Sequence, residues 1–166
     1  MRINSSGAIV LPDSSPGIQF GTVSSPASNT TLDDYEEGTF TPYLAGSSVN
    51  GTFTDGGSTG KYTKIGRSVT CNIHIENSTL SGASGAIRVL GLPYLIGADP
   101  YAIAGSMMLY NVIFNTAYIQ AWYGNPNTDN IYGLESRSGT TWANWSAGDF
   151  NNSSLYVFFT ITYQTT

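Results

Sequence analysis

From Thr39 onward the chain alternates apolar and polar residues with a period of two. The clearest case is VTCNIHI, where Val69, Cys71, Ile73 and Ile75 alternate with Thr70, Asn72, His74 and Glu76. Successive side chains on a strand point to opposite faces, so this segment reads as a strand with one buried face. Cys71 then falls on the apolar face as an inert thiol, and His74 on the polar face beside Glu76. Similar runs occur at GTFTPYLA, GKYTKIG, AIRVLGL, YAIAGSMMLYNVIF, AYIQAWYG, NIYGLESR and SSLYVFFTITYQ, separated by Gly, Asn, Pro and Ser clusters that make turns. Strands at this spacing predict an all-β fold, an antiparallel β-sandwich or jelly roll. No window repeats every 3.6 residues, so helix should be scarce. In the last run, Leu155, Val157, Phe159 and Ile161 form one face while Tyr156 and Phe158 are apolar on the other. A strand apolar on both faces is covered on both, and a neighbouring subunit can supply the second cover.

Residues 1–31 follow a different pattern. SSGAIVLPD, SSPGIQFGTV and SSPAS restart every nine or ten residues with a serine pair and a turn residue, and the first two add a short apolar run. Such units cannot bury their apolar side chains alone. They suit a flexible leader or, better, a short extended stalk whose Ile9, Val10, Leu11, Ile18 and Phe20 pack against other copies of the chain. The expected organisation is a stalk over 1–31 and a tip domain over 32–166, assembled as an intertwined homotrimer.

At 166 residues the chain fits one ordinary domain with an appendage. Charged residues make up only 10% and the net charge is −5, so no basic face exists to neutralise a phosphate backbone and nucleic-acid binding is not expected. No segment approaches the ~20 apolar residues of a membrane-spanning helix, and the N-terminal MRINSSGAIVLPDSSP lacks the apolar run of a signal peptide. Cys71 is the single cysteine, which leaves no internal disulfide and no thiolate cluster for zinc.

Against this low charge, TLDDYEEGTFTP places Asp33, Asp34, Glu36 and Glu37 around Tyr35, ahead of Gly38. Thr31 followed by two aspartates reads as a helix start, with Gly38 ending a one- or two-turn elbow between stalk and head. The spacing does not match a D-x-D-x-D-G calcium loop, and four acids in one short loop do not form two carboxylates facing across a cleft. The acids therefore read as a structural joint, with no catalytic residue, cofactor or metal expected.

The block LDDYEEGTFTP, followed by GKYTKIGRSVTCNIHI and then LGLPY, resembles the C-terminal modules of bacteriophage tail fibres and related tail proteins. There a similar acid block opens the final domain, a YTKIG-type strand pair follows and a GLP turn comes later. The leader MRINSSGAI is similar to the units that build fibre stalks upstream of the same block. The resemblance spans roughly residues 1–95. It implies a homotrimeric, β-rich fibre tip in the virion, with the Asp33–Gly38 block at the junction where three chains meet. The partners it implies are the rest of the tail fibre and a bacterial cell-surface glycan or outer-membrane receptor, without membrane insertion. The short stalk fits either a short virion protein or the distal part of a longer fibre.

Candidate receptor contacts cluster in 115–152. Aromatic rings stack on the apolar faces of sugars, while Asn and Asp pair with their hydroxyls. On this basis Trp142, Trp145, Tyr123, Asn125, Asn144 and Asp149 are the expected glycan contacts, and Trp122 continues a strand into the core. Two alternatives stay open: a structural virion element without ligand, and a polysaccharide depolymerase using acids such as Asp129, Glu135 or Asp149.

Overall fold

The period-two pattern folds as strand. Among the described residues there is no α-helix, only a 3-10 turn at Ala147–Phe150. The computed structural model describes residues 34–98, 104–105, 107–114 and 116–165, together with Ser5 and four short N-terminal strands. Arg2–Ile3 (β1) pairs antiparallel with Ile9–Val10 (β2), and Ile18–Gln19 (β3) with Thr31–Leu32 (β4). The rest of the expected stalk, and Asp33, lie outside the described residues. The head continues as Tyr35–Phe40 (β5), Tyr43–Gly46 (β6), Thr52–Thr54 (β7), Thr59–Ile65 (β8), Ser68–Ser81 (β9), Ile87–Leu90 (β10), Ala104–Gly105 (β11), Met107–Tyr110 (β12), Ile119–Gly124 (β13), Ile131–Ser136 (β14), Ala143–Asn144 (β15) and Leu155–Gln164 (β16).

These strands form two antiparallel six-stranded sheets. The front sheet runs β12-β16-β9-β8-β5, with β7 on the far end of β9; the back sheet runs β11-β13-β14-β10-β6, with β15 beside β14. Their facing sides make one core. Val69, Cys71, Ile73 and Ile75 of β9 and Leu155, Val157, Phe159 and Ile161 of β16 meet Ile87 and Val89 of β10, Trp122 of β13 and Ile131 of β14. Trp122 stacks on Phe159 across the sandwich, with ring centroids 5.2 Å apart. Both the all-β sandwich and the core position of Trp122 agree with the alternation.

Two local features depart from a simple reading of that alternation. GTFTPYLA is not one strand: it breaks at Thr41 and Pro42 into β5 of the front sheet and β6 of the back sheet. Proline has no N–H to donate to a ladder and holds its predecessor extended, which suits a crossing between sheets. In β9 the buried set switches from odd to even positions after Ile75, so that Ser78 and Leu80 face inward. The pairing with β16 shifts there, from Val157 opposite Ile75 to Leu155 opposite Ser78. One extra residue on β9 makes a bulge, and Asn77 takes the left-handed conformation it needs (φ 47°).

Candidate functional site

Within the acid block Tyr35–Phe40 is a strand, which corrects the expected helical elbow. β5 pairs along its whole length with β8, from Tyr35 opposite Ile65 to Phe40 opposite Gly60. Its backbone partners are thus another strand, and the carboxylates find side chains instead of a helix N-terminus. Glu36 accepts hydrogen bonds from the hydroxyls of both Tyr62 and Tyr94, and Asp34 pairs with buried Lys64. The Lys64 ammonium also lies 5.4 Å from the centre of the Tyr94 ring. Tyr62 and Lys64 come from GKYTKIG and Tyr94 from LGLPY, so the three blocks that carry the fibre resemblance meet in one cluster. Gly38 and Gly60 make room for it. A Cβ on Gly38 would come within 2.6 Å of the Tyr62 ring, and one on Gly60 within 2.4 Å of the Phe40 ring. Each glycine is covered by an aromatic directly across the strand pair. The Tyr62 hydroxyl, then that of Tyr94, holds the Glu36 carboxyl below its ordinary value, and the same bonds raise both phenols.

A second constellation lies on the outer face of the front sheet. The cross-strand registers align His74 of β9, Phe158 of β16 and Met108 of β12 in one row, with Tyr156 opposite Tyr110 beside it. The His74 and Phe158 rings are 4.8 Å apart, Tyr110 meets Tyr156 edge-on at 5.5 Å, and Tyr156 meets Phe158 edge-on at 6.0 Å. Met108, Leu109, Tyr110, Tyr156 and Phe158 line an open hollow of about 500 Å3. Along the strands the aromatic row gives way to a polar ladder, whose rows continue across β8 and β5 to Lys61, opposite Asn72, and to Glu37, opposite Thr63. The Thr160 hydroxyl donates to Asn72 Oδ1 at 2.7 Å, and the Thr70 and Thr162 hydroxyls are 3.0 Å apart. At the other end Asn111 donates to the carbonyls of Ser153 and Ser154, and Asn152 to that of Asn111.

The contacts expected from sequence lie elsewhere. Trp142 is 70% exposed on the β14–β15 connection, whereas Trp145 is fully buried. This corrects Trp145 from a loop contact to a core residue. β15 pairs with β14 and the 3-10 turn closes beneath it, packing the indole 4.6 Å from the Phe150 ring and 6.3 Å from Trp122. Tyr123 is half-buried opposite Tyr132, Asn125 closes the β13–β14 turn with its N–H on the Asn130 carbonyl, and Asn144 pairs with Leu134. Asp149 sits in the 3-10 turn; burial raises its carboxyl pKa, against the Trp145 indole, and nearby Glu135 adds to the rise. Glu135 is itself buried and paired with Arg137 at 3.0 Å. Cys71 is buried as expected, and burial pushes its thiol up to about 12. Sequence reasoning singled out Tyr156 and Phe158 as a second apolar face, with a neighbouring subunit as its expected cover, and missed their alignment with His74, Met108 and Tyr110. The signal that could have found it was the second apolar face of the last strand.

Among the described residues, no cluster of three His, Cys, Asp or Glu could hold a metal, and no helix is long and apolar enough to cross a membrane. No family model and no curated protein matches the chain. In three dimensions it is similar to the Dettilon tailspike protein, known from a crystal structure, with a TM-score of 0.57 and 18% sequence identity. The match covers 78% of this chain and 24% of that one, so the chain spans about a quarter of the length of the tailspike it resembles. The likeness is one of fold.

Proposed function

We propose that the chain is the receptor-facing tip of a bacteriophage tail fibre or tailspike, homotrimeric in the virion, which attaches to a bacterial surface polysaccharide. The tail-protein part is supported by the fold likeness and by the meeting of the three sequence blocks at Glu36, Tyr62, Tyr94 and Lys64. One observation carries the sugar reading: an exposed aromatic row that runs into an Asn/Thr ladder on the same sheet face. Pyranose C–H faces stack on Tyr110, Tyr156 and Phe158, and the hydroxyls take hydrogen bonds from Thr160, Asn72 and His74. The hydroxyls and amide of the ladder offer paired donors and acceptors to a hydroxyl-rich ligand, with Lys61 opposite Asn72 and Glu37 opposite Thr63 at its border.

The test is binding of the wild-type chain to a panel of purified bacterial polysaccharides, with Tyr156→Ala and Trp142→Ala alongside. Loss of one stacked ring, about 1.5 kcal/mol, should weaken binding roughly tenfold in Tyr156→Ala and leave Trp142→Ala unchanged. The reverse pattern would return the site to the Trp142 loop. Release of oligosaccharides during the assay would establish a depolymerase instead, and silence across the panel with intact trimers would favour a structural element.

A further inference from the structure

The sequence holds a single Asn–Gly pair, Asn50–Gly51, and a single Asp–Gly pair, Asp55–Gly56, on either side of β7. At such pairs a chain can react with itself, because a residue without Cβ lets its backbone nitrogen reach the preceding side-chain carbonyl carbon. The fold treats the two pairs in opposite ways. At Asp55 both reactants are tied: the Gly56 N–H donates to Ser78 Oγ at 3.2 Å, and the carboxylate accepts from the N–H groups of Gly57 and Ser58. A carboxylate is also a poor electrophile, since it already carries the charge that attack would add. At Asn50 the nucleophile is free. The β7–β9 ladder starts at Thr52 opposite Ser81, and the Gly51 N–H makes none of the other backbone hydrogen bonds among the described residues. Asn50 is exposed and Gly51 is left-handed (φ 78°), where a Cβ would come within 2.7 Å of the Ser81 carbonyl oxygen.

Arg88 of β10 polarises the electrophile. Its Nη2 donates to Asn50 Oδ1 at 3.0 Å and to the Gly46 carbonyl at 2.6 Å. Among the described residues no carboxylate pairs with this half-buried guanidinium, and its Nε is buried without an acceptor. In a chain of net charge −5, an arginine thus faces a neutral amide where a carboxylate would bind more strongly. We propose that Asn50 is a self-modification site, where Gly51 displaces the side-chain amide as ammonia and the chain gains a carboxylate held by Arg88. The Gly51 nitrogen bonds to Asn50 Cγ and gives up its proton; the Cγ–Nδ2 bond breaks, and Nδ2 leaves with that proton as ammonia. Water then opens the five-membered imide, its hydroxyl going to a carbonyl carbon and its proton to the Gly51 nitrogen. In both steps negative charge gathers on Oδ1 as Cγ becomes tetrahedral, and the guanidinium stabilises it there. Without such a donor, water attacks mainly the main-chain carbonyl and leaves isoaspartate in the backbone. With Arg88 on Oδ1, attack at Cγ is favoured, which restores the normal main chain with aspartate at position 50. The carboxylate so formed has a second oxygen for the Nε that the amide leaves without an acceptor.

This inference is independent of the attachment reading. The test stores the purified full chain at mildly alkaline pH and follows it by peptide mass spectrometry, with fragmentation that separates aspartate from isoaspartate. The samples are the native wild type, the wild type in guanidinium chloride, and Arg88→Met. The native wild type should convert Asn50 ahead of every other asparagine, leave Asp55 unchanged and yield mainly aspartate, whereas the denatured chain should yield mainly isoaspartate. Arg88→Met should convert more slowly, by on the order of tenfold, and lose the preference for aspartate. Because that variant also loses the bond to the Gly46 carbonyl, the product is tested separately: Asn50→Asp should raise the urea midpoint of the wild type and leave that of Arg88→Met unchanged. An Asn50 that stays an amide while other asparagines convert overturns the proposal. So does a native product ratio equal to that of the denatured chain, or an Asn50→Asp substitution that does not raise the midpoint.

Discussion

Lys64 is a buried cation whose partner, Asp34, is half-exposed, and this asymmetry makes the joint between β5 and β8 testable. Removing one member of a fully buried ion pair costs about 3–5 kcal/mol, because the other charge is left without compensation. Water reaching Asp34 screens part of that loss, so Asp34→Ala should cost about 1–2 kcal/mol. Lys64→Met removes the charge itself while keeping an apolar stem of similar length, and should cost under about 1 kcal/mol. The assay is urea unfolding. With a slope of about 2 kcal/mol per molar, Asp34→Ala should lower the midpoint by roughly 0.5–1 M, and the same change made in the Lys64→Met background should do almost nothing. Equal midpoints for the two single variants, or an undiminished effect of Asp34→Ala without the lysine, would refute the reasoning.

Other outcomes follow from the same contacts. Trp145→Ala should destabilise by about 3–5 kcal/mol in thermal or urea unfolding, against less than about 0.5 kcal/mol for exposed Trp142→Ala. Asn77→Val, which forces a β-branched residue into a left-handed position, should cost about 1–2 kcal/mol by the same measurement. Glu36 is held below its ordinary 4.5, so its contribution is present above that pH and is lost as pH falls through the folded value. Glu36→Gln should therefore flatten the stability–pH curve on the acid side. The Cys71 thiol is raised from 9.0 to about 12, so the unfolded chain ionises first and stability drops as pH rises between those values. Cys71→Ala should reduce that alkaline loss.

The strands of the core were legible because alternation is a local property: Val69 to Ile75 and Leu155 to Ile161 announce their faces without reference to anything distant. The acidic start of β5, Tyr35 to Glu37, was not, because its strand character comes from its partner. The groups that settle it, Tyr62, Lys64 and Tyr94, lie 26 to 58 residues from the acids they hold. Trp145 misled for the opposite reason. Its Gly/Ser/Asn-rich surroundings look solvated, but a two-residue strand and one 3-10 turn fold the indole inward. The aromatic row on the front sheet needs the registers of β9, β16 and β12 together, and a bulge at Asn77 offsets one of them.

The ladder between β5 and β8 has a mechanical consequence. The strands run antiparallel and side by side, so a pull along the chain where it enters β5 loads their hydrogen bonds in shear, many at once, instead of opening them one by one. From β8 the load passes through β9 to β16 without leaving the front sheet, and so reaches the strand that carries Tyr156 and Phe158. Lys64 with Asp34, and Tyr62 with Glu36, act as rivets at the end of the ladder where the tension enters. A tether applied there and a ligand held on the outer face would share one continuous sheet, and the back sheet would bear little of the strain.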